Sequence, residues 1–368
     1  MGSAHAYQLK NGSRRWKAIY RRPDNTQTSR GGFARKRDAE EFLATVTVAK
    51  ASGTYVSPSD ARATIAVLAA AWLTGHTATV KPSTLHSDES ALRIHVLPKW
   101  GKRSVGSIRH SEVTAWIAEL AASKSATTVR RSHGILAATL DAAVRDRRIA
   151  SNPARDVKLP RKKKKSMAYL THQQVETLAL ESKYPDMVRF LALTGLRWGE
   201  ATGLRVKHLD LARRRASVEQ NAVVVNGTVH VGTPKTHEKR TVVWPAVLDE
   251  GIATAIAGRG REALVWSDEG VEHRLLPNSV RGWFSGAVER CQANDPNFPR
   301  ITPHDLRHTA ASLAISAGGN VKAIQRMLGH ASAVMTLDTY ADLFEDDLDS
   351  VAEALSEAYA RSNVVATE

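Results

Sequence analysis

Cysteine is almost absent. One residue, Cys291, in 368 leaves no internal disulfide framework and no cysteine-rich zinc site. Long apolar runs are missing too. The longest, "IAVLAAAWL" at 65–73, is less than half of the about 20 residues that a membrane span requires. Met1 is followed by "GSAHAYQLKNGSRR", which lacks the apolar core of a secretory signal, so the expectation is a soluble cytoplasmic protein with no membrane partner. A nucleotide-binding loop is missing as well. "GTVHVGTPKT" at 227–236 begins like a phosphate loop but has no Gly-Lys-Thr, and its alternating valines mark a strand pair. That weakens any helicase, ligase or kinase reading. No repeat of 20–50 residues is visible.

Positive charge is abundant and unevenly placed. Lys and Arg number 52 against 37 Asp and Glu, a net +15 with a pI near 10.0. The first 168 residues carry +19 and the last 200 carry −4. A basic surface of this kind suits a polyanion, because phosphate contacts release counterions and dominate affinity. A polyanion is therefore the expected partner. Acidic lipid is disfavoured by the lack of a basic amphipathic anchor helix.

Composition and periodicity divide the chain. Residues 1–55 read as a small α+β unit. "AYQLK", "RWKAIYRR" and "TQTSRGGF" are short strands separated by the turn signals "NGS" and "RPDN". "RKRDAEEFLATVTVAKASG" follows as a helix ended by Gly53. Arg14, Arg15, Lys17, Arg21 and Arg22 on such a sheet are candidate DNA contacts. Residues 63–160 read as an all-α bundle of four helices, with Pro98 and Gly101 as a stop signal and Ser111 as an N-cap. Its fourth helix is expected to run to Asn152-Pro153, with Arg130 and Arg131 offered to a DNA backbone. Residues 161–167 form a basic linker holding Lys162, Lys163, Lys164 and Lys165, which stay solvated or lie along phosphates. Residues 168–368 alternate helical stretches with strand-like "RASVEQ", "AVVVNGTVHV" and "KRTVVWP", so this part is mixed α+β, mainly helical with a small antiparallel sheet. A tail helix is expected through Val351, Leu355 and Tyr359.

The chemistry-bearing residues of this last part are cations and one phenol. "PHDLRHT" at 303–309 spaces His304 and His308 as a metal pair would, but Asp305 stands where zincins have Glu, and Arg307 would repel a cation. No metal and no cofactor are therefore expected. "LTGLRWGE" sets Arg197 between Gly195 and Gly199, glycines that permit close approach of a substrate backbone, with Glu200 three residues on to hold the guanidinium. "TPKTHEKRT" places Lys235 in a turn between strands, "MLGHAS" supplies His330 after a glycine, and "TLDTYADLF" supplies Tyr340.

In that order these motifs closely resemble the tyrosine recombinase family, in its phage-integrase branch, over roughly residues 165–345. The resemblance implies a pocket of Arg197, Lys235, His304, Arg307 and His330, a supporting Glu200, and Tyr340 as nucleophile. It also implies an arm-binding domain at 1–55, a core-binding domain at 63–160, a homotetramer on double-stranded DNA, a tail docked on a neighbouring protomer, and a host DNA-bending factor and excisionase as partners. The physical logic is consistent with it. In-line attack on a phosphodiester builds charge on the nonbridging oxygens, and two guanidiniums can clamp them in place of a metal. Such a pocket is expected to lower the pKa of Tyr340, with His304 accepting its proton or orienting the phenol and Lys235 protonating the leaving oxygen. His330 would donate to a phosphoryl oxygen, and His308 would support the fold. A covalent phosphotyrosine keeps the bond energy, so rejoining needs no ATP. A Xer-like resolvase, a type IB topoisomerase and a non-catalytic DNA-binding repressor are the competing readings.

Overall fold

The computed structural model describes residues 2–162, 167–233 and 239–340, and residues 352–353, 355–357 and 359–360 of the tail. Lys163, Lys164, Lys165, Lys235 and Val351 lie outside the described residues. The chain divides into two compact units, residues 1–164 and 165–368.

The first unit opens with an antiparallel sheet of β1 (Ser3–Gln8), β2 (Arg14–Arg21) and β3 (Gln27–Phe33). Its hairpins turn at Gly12 (φ +80°) and Asn25 (φ +65°), where the left-handed region favours those residue types. Alternation along β2 buries Ala18 and Tyr20 against α1 (Lys36–Ala51). The same alternation divides the five basic candidates. Arg15, Lys17 and Arg21 share one face, while Arg14 and Arg22 fall on the side of Trp16 and Tyr20. Arg14 stacks over the Trp16 ring at 5.1 Å, and Arg22 donates to the Ser59 hydroxyl at 3.1 Å.

The helical part follows in the same unit. It comprises α2 (Ile65–Thr77), α3 (Pro82–Ala91), a π turn (Leu92–Val96) leading into α4 (Leu97–Trp100), α5 (His110–Ser123) and α6 (Ala126–Arg145). Ile65, Trp100, Trp116, Leu136 and Leu140 centre its core, with Trp100 edge-on to Trp116 at 5.8 Å. Three local expectations change. Pro98 does not stop a helix: it is the second residue of α4, after the π turn, where its missing N–H is tolerated. Ser111 is not a cap, because α5 starts one residue earlier and the Glu112 carboxylate accepts the Arg109 N–H at 2.9 Å. The fourth helix ends at Arg145, with Arg147 left-handed at φ +56°. Asn152 then ties the exit back by donating to the Ala137 carbonyl at 2.9 Å and to Asp141 at 2.7 Å. Arg130 is exposed, whereas Arg131 is drawn to Asp88 at 2.6 Å.

The second unit begins with α7 (His172–Glu181), capped reciprocally by Thr171 and Gln174. Then come α8 (Pro185–Thr194) and the short α9 (Trp198–Thr202). Strands β4 (Leu209–Asp210), β5 (Arg215–Val218) and β8 (Arg240–Val243) form one antiparallel sheet, and β6 (Asn221–Val225) with β7 (Thr228–Gly232) forms a separate hairpin. That hairpin turns at Asn226-Gly227, both at positive φ, as the sequence predicts. Helices α10 (Asp249–Ile256), α11 (Trp283–Asn294), α12 (Asp305–Ser316), α13 (Val321–Leu328) and α14 (Ala333–Tyr340) complete it. The core gathers around Phe190, Leu191, Trp244, Phe284 and Leu306. Leu355 and Tyr359 are helical and exposed in the tail.

The glycines flanking Arg197 serve the chain's own packing, contrary to the expected approach by a substrate. Gly195 caps α8 at φ +65°, and a Cβ there would press on Leu328 and Ala310. A Cβ on Gly199 would collide with the Ala222 carbonyl oxygen, because β6 lies against α9. Gly199→Ala should therefore cost about 1–3 kcal/mol by overpacking. Gly134→Ala, in open space on α6, should gain up to about 1 kcal/mol from helix propensity. Urea unfolding followed by tryptophan fluorescence checks both signs.

Candidate active site

A buried carboxylate organises the pocket. Glu200, 1% exposed, sits on α9 and accepts from the Arg197 backbone N–H at 3.0 Å and from Arg197 Nη1 at 2.8 Å. The i,i+3 contact expected from sequence is present. Sequence reasoning missed its larger partner, Arg240 of β8, whose Nη1 and Nη2 reach the two Glu200 oxygens at 2.9 and 2.6 Å. Arg240 Nε also donates to the Met327 carbonyl at 3.2 Å, which ties β8 to α13. Burial alone would raise the Glu200 pKa, but the Arg240 hydrogen bonds and charge, with Arg197 behind them, hold it at about 2.

Arg307 lies 3% exposed on α12. Its Nη1 donates to the Gly195 carbonyl at 2.7 Å and its Nη2 to the Leu328 carbonyl. These oxygens stand at the C-terminal ends of α8 and α13, where unpaired carbonyls and the helix dipoles favour a cation. Burial, then repulsion from Arg197, push the guanidinium pKa down to about 9, so it stays charged at neutral pH. A buried guanidinium beside a second one and short of counter-charge is suited to receive an anion.

His330 follows the left-handed Gly329 that ends α13. Its Nδ1 meets the buried Thr336 hydroxyl at 2.9 Å. Burial and then Arg307 push its pKa down to about 4, so the ring is neutral; the tautomer in which Thr336 donates to Nδ1 has Nε2–H as its remaining donor. Beside it, Lys239, Arg240, Arg326 and His330 line a cavity of about 550 Å³.

Tyr340 ends α14 at 1% exposure, packed with Ala311, Ile315, Ile324 and Leu328. Its ring lies near-parallel to His330 at 6.4 Å. Burial pushes its pKa up to about 12, and the Arg307 charge offsets this only in part. The expected lowering is thus reversed: desolvation outweighs the positive pocket. The phenol contact also differs from expectation. His308 Nδ1, not a group on His304, is the atom found 2.9 Å from Tyr340 Oη. Residues 308, 311 and 315 share the face of α12 that receives Tyr340, and His304 lies a turn earlier, exposed and edge-on to His308 at 5.2 Å.

Five of the sequence-nominated residues therefore gather with Tyr340 or Arg307: Arg197, Glu200, Arg307, His330 and Tyr340, with His304 at the rim. Arg240, His308 and Thr336 are the additions. For His308 the signal was its i+4 spacing from His304; Arg240 gave none locally. Among the described residues no group of three or more His, Cys, Asp or Glu is placed to hold a metal ion.

Residues 168–346 match the Phage integrase family, and residues 65–159 match the Phage integrase central domain. The integrase of Mycobacterium phage L5 is 29% identical over 342 residues, 88% of this chain and 89% of that protein. The transposase from transposon Tn916 of Enterococcus faecalis is 27% identical over 295 residues, 73% of this chain and 71% of that protein. Among solved structures, the Tn1549 transposon integrase in complex with a circular intermediate DNA superposes with a TM-score of 0.63 at 25% identity, covering 75% of this chain and 95% of that one.

The buried Glu200 generates a stability prediction. Glu200→Ala leaves Arg240 and Arg197 without their counter-charge and should destabilise the second unit by about 3–5 kcal/mol in chemical denaturation. A depressed carboxylate pKa contributes stability that is present above the unfolded value. In the wild type this contribution should be lost as pH falls from 4.5 towards about 2. In Glu200→Ala that acid dependence should be weaker.

Proposed function

The chain belongs to the phage integrase family of tyrosine recombinases and is a DNA strand-exchange recombinase, and from that premise we propose how its own residues carry the reaction. The observation behind the proposal is the buried, charged Arg307, set beside Arg197 in the unit that holds Tyr340. Arg197 and Arg307 bind the nonbridging oxygens of the scissile phosphate, and His330 Nε2–H adds a third donor. Tyr340 Oη attacks phosphorus in line, forms a 3′-phosphotyrosine and releases the 5′-oxygen, which Lys235 protonates. Rejoining reverses these steps on a second strand, so the chain integrates a phage or other mobile element at attachment sites and excises it. Its likeness to a mycobacteriophage integrase and a transposon transposase supports that reading.

Each chain contributes one Tyr340, and exchange between two duplexes breaks four strands, so the working assembly is a homotetramer on DNA. Residues 1–55 read arm-type sites through Arg15, Lys17 and Arg21, with Arg14 and Arg22 at the margins. Residues 63–160 grip the core site with Arg130 and Arg131, and linker residues 161–167, Lys162 to Lys165 among them, follow the backbone to the catalytic part, 168–368. The tail docks on a neighbouring protomer. A host DNA-bending factor and an excisionase complete the complex in the cytoplasm.

Labelled fragments flanking the gene, incubated without Mg²⁺ or ATP and run on a denaturing gel, should yield a covalent adduct that Tyr340→Phe abolishes. Arg197→Ala or Arg307→Ala should slow its formation by about 10²–10³. Tight binding with no adduct, even on nicked fragments, would contradict the proposal and favour a DNA-binding regulator.

A further inference from the structure

The phenol that must act as nucleophile is protonated and buried, and the atom that meets its oxygen belongs to a residue with no role in the reaction so far. His308 Nδ1 lies 2.9 Å from Tyr340 Oη, with the two rings at 5.8 Å and 61°. Resting on Tyr340 as nucleophile, we propose that His308 is a catalytic residue, the base that takes the phenol proton as Oη attacks phosphorus and returns it on rejoining.

Three features support this assignment. The distance suits an O–H donating to an imidazole lone pair. The ring is half-buried and sits on the face of α12 that also carries Ala311 and Ile315, both packed with Tyr340, so packing holds the phenol against this face. The charged and titratable surroundings keep the imidazole neutral and able to accept. Burial is the largest cause of its lowered pKa, followed by His304, the N-cap of α12; Asp305 opposes the shift and Arg307 adds to it, both on α12. From other elements, Tyr340 faces it on α14, Tyr169 stands beside Tyr340 at 6.5 Å, and His330 lies beyond the Tyr340 ring.

The step balances. The Oη–H bond breaks and its proton forms an Nδ1–H bond on His308, while Oη bonds to phosphorus and the P–O5′ bond breaks. The leaving oxygen takes its proton from a separate acid. His308 ends as an imidazolium beside the phosphotyrosine, and on rejoining its proton returns to the departing phenolate. The starting tautomer carries hydrogen on Nε2.

His308→Asn separates proton acceptance from positioning, since an amide oxygen can accept the phenol hydrogen bond but cannot take its proton at neutral pH. On a fragment where the wild type forms its adduct, single-turnover cleavage at pH 7 should fall about 10²–10⁴-fold in His308→Asn. Wild-type cleavage should rise through the lowered His308 pKa and then level off. The variant needs phenolate formed in solution, so its rate should keep climbing about tenfold per pH unit and the deficit should shrink. A full rate at pH 7, or a deficit constant with pH, would overturn the assignment. Loss of the adduct in Tyr340→Phe is scored separately, so failure of the nucleophile is not confused with failure of the base. Independently of DNA, ¹⁵N-histidine NMR of the full chain should show His308 Nδ1 unprotonated and shifted by Tyr340→Phe. A protonated Nδ1 at pH 7 would overturn the assignment as well.

Discussion

A carboxylate with 1% of its surface exposed stays ionised only if cations surround it, and Glu200 is surrounded by two. Meeting that constraint fixes much of the second unit. Arg197 is drawn back over the first turn of α9, which sets its remaining N–H groups. Arg240 brings the start of β8 onto α9 and, through the Met327 carbonyl, onto the end of α13. The Leu328 carbonyl at that end and the Gly195 carbonyl after α8 are the two acceptors of Arg307. One negative charge therefore places two guanidiniums and, through α13, the loop that carries His330.

The charges in this pocket do not balance without a substrate. Arg307 is pushed down by burial and by Arg197, and His330 is kept neutral by burial and the arginines. An anion between the arginines would relieve both strains, which is the sense in which the site is organised for a charge that it does not itself supply. Tyr340 follows the opposite logic. Its burial stabilises the neutral phenol, so the nucleophile is held in reserve against α12 until a base and a phosphate act together.

Much of this was legible in the sequence, and the exceptions have physical reasons. The basic first 168 residues, the Asn226-Gly227 hairpin and the Arg197–Glu200 pair depend on local spacing or composition, and the structure contains them. Arg240 was not legible as the partner of Glu200, because forty residues and a hairpin separate them in sequence. His308 read as fold support since nothing local reveals which turn of α12 meets Tyr340. Gly199 read as room for a substrate, whereas β6, a non-local neighbour, takes that room. Helix ends failed in the same way: Arg145 ends α6 seven residues before Asn152, and Asn152 instead ties the exit back to Ala137 and Asp141.

The central claim is that Arg197 and Arg307 exist to neutralise charge on a phosphate attacked by Tyr340. Substituting a neutral methylphosphonate at the scissile position tests it most directly, because the substitution removes the charge and leaves the bond to be broken. The account predicts that Arg197→Ala, crippled on the natural phosphate, cleaves the methylphosphonate within about tenfold of the wild-type rate, a difference of only about 1.4 kcal/mol. An equal deficit on both substrates would contradict it, and would reduce the arginine pair to a structural clamp.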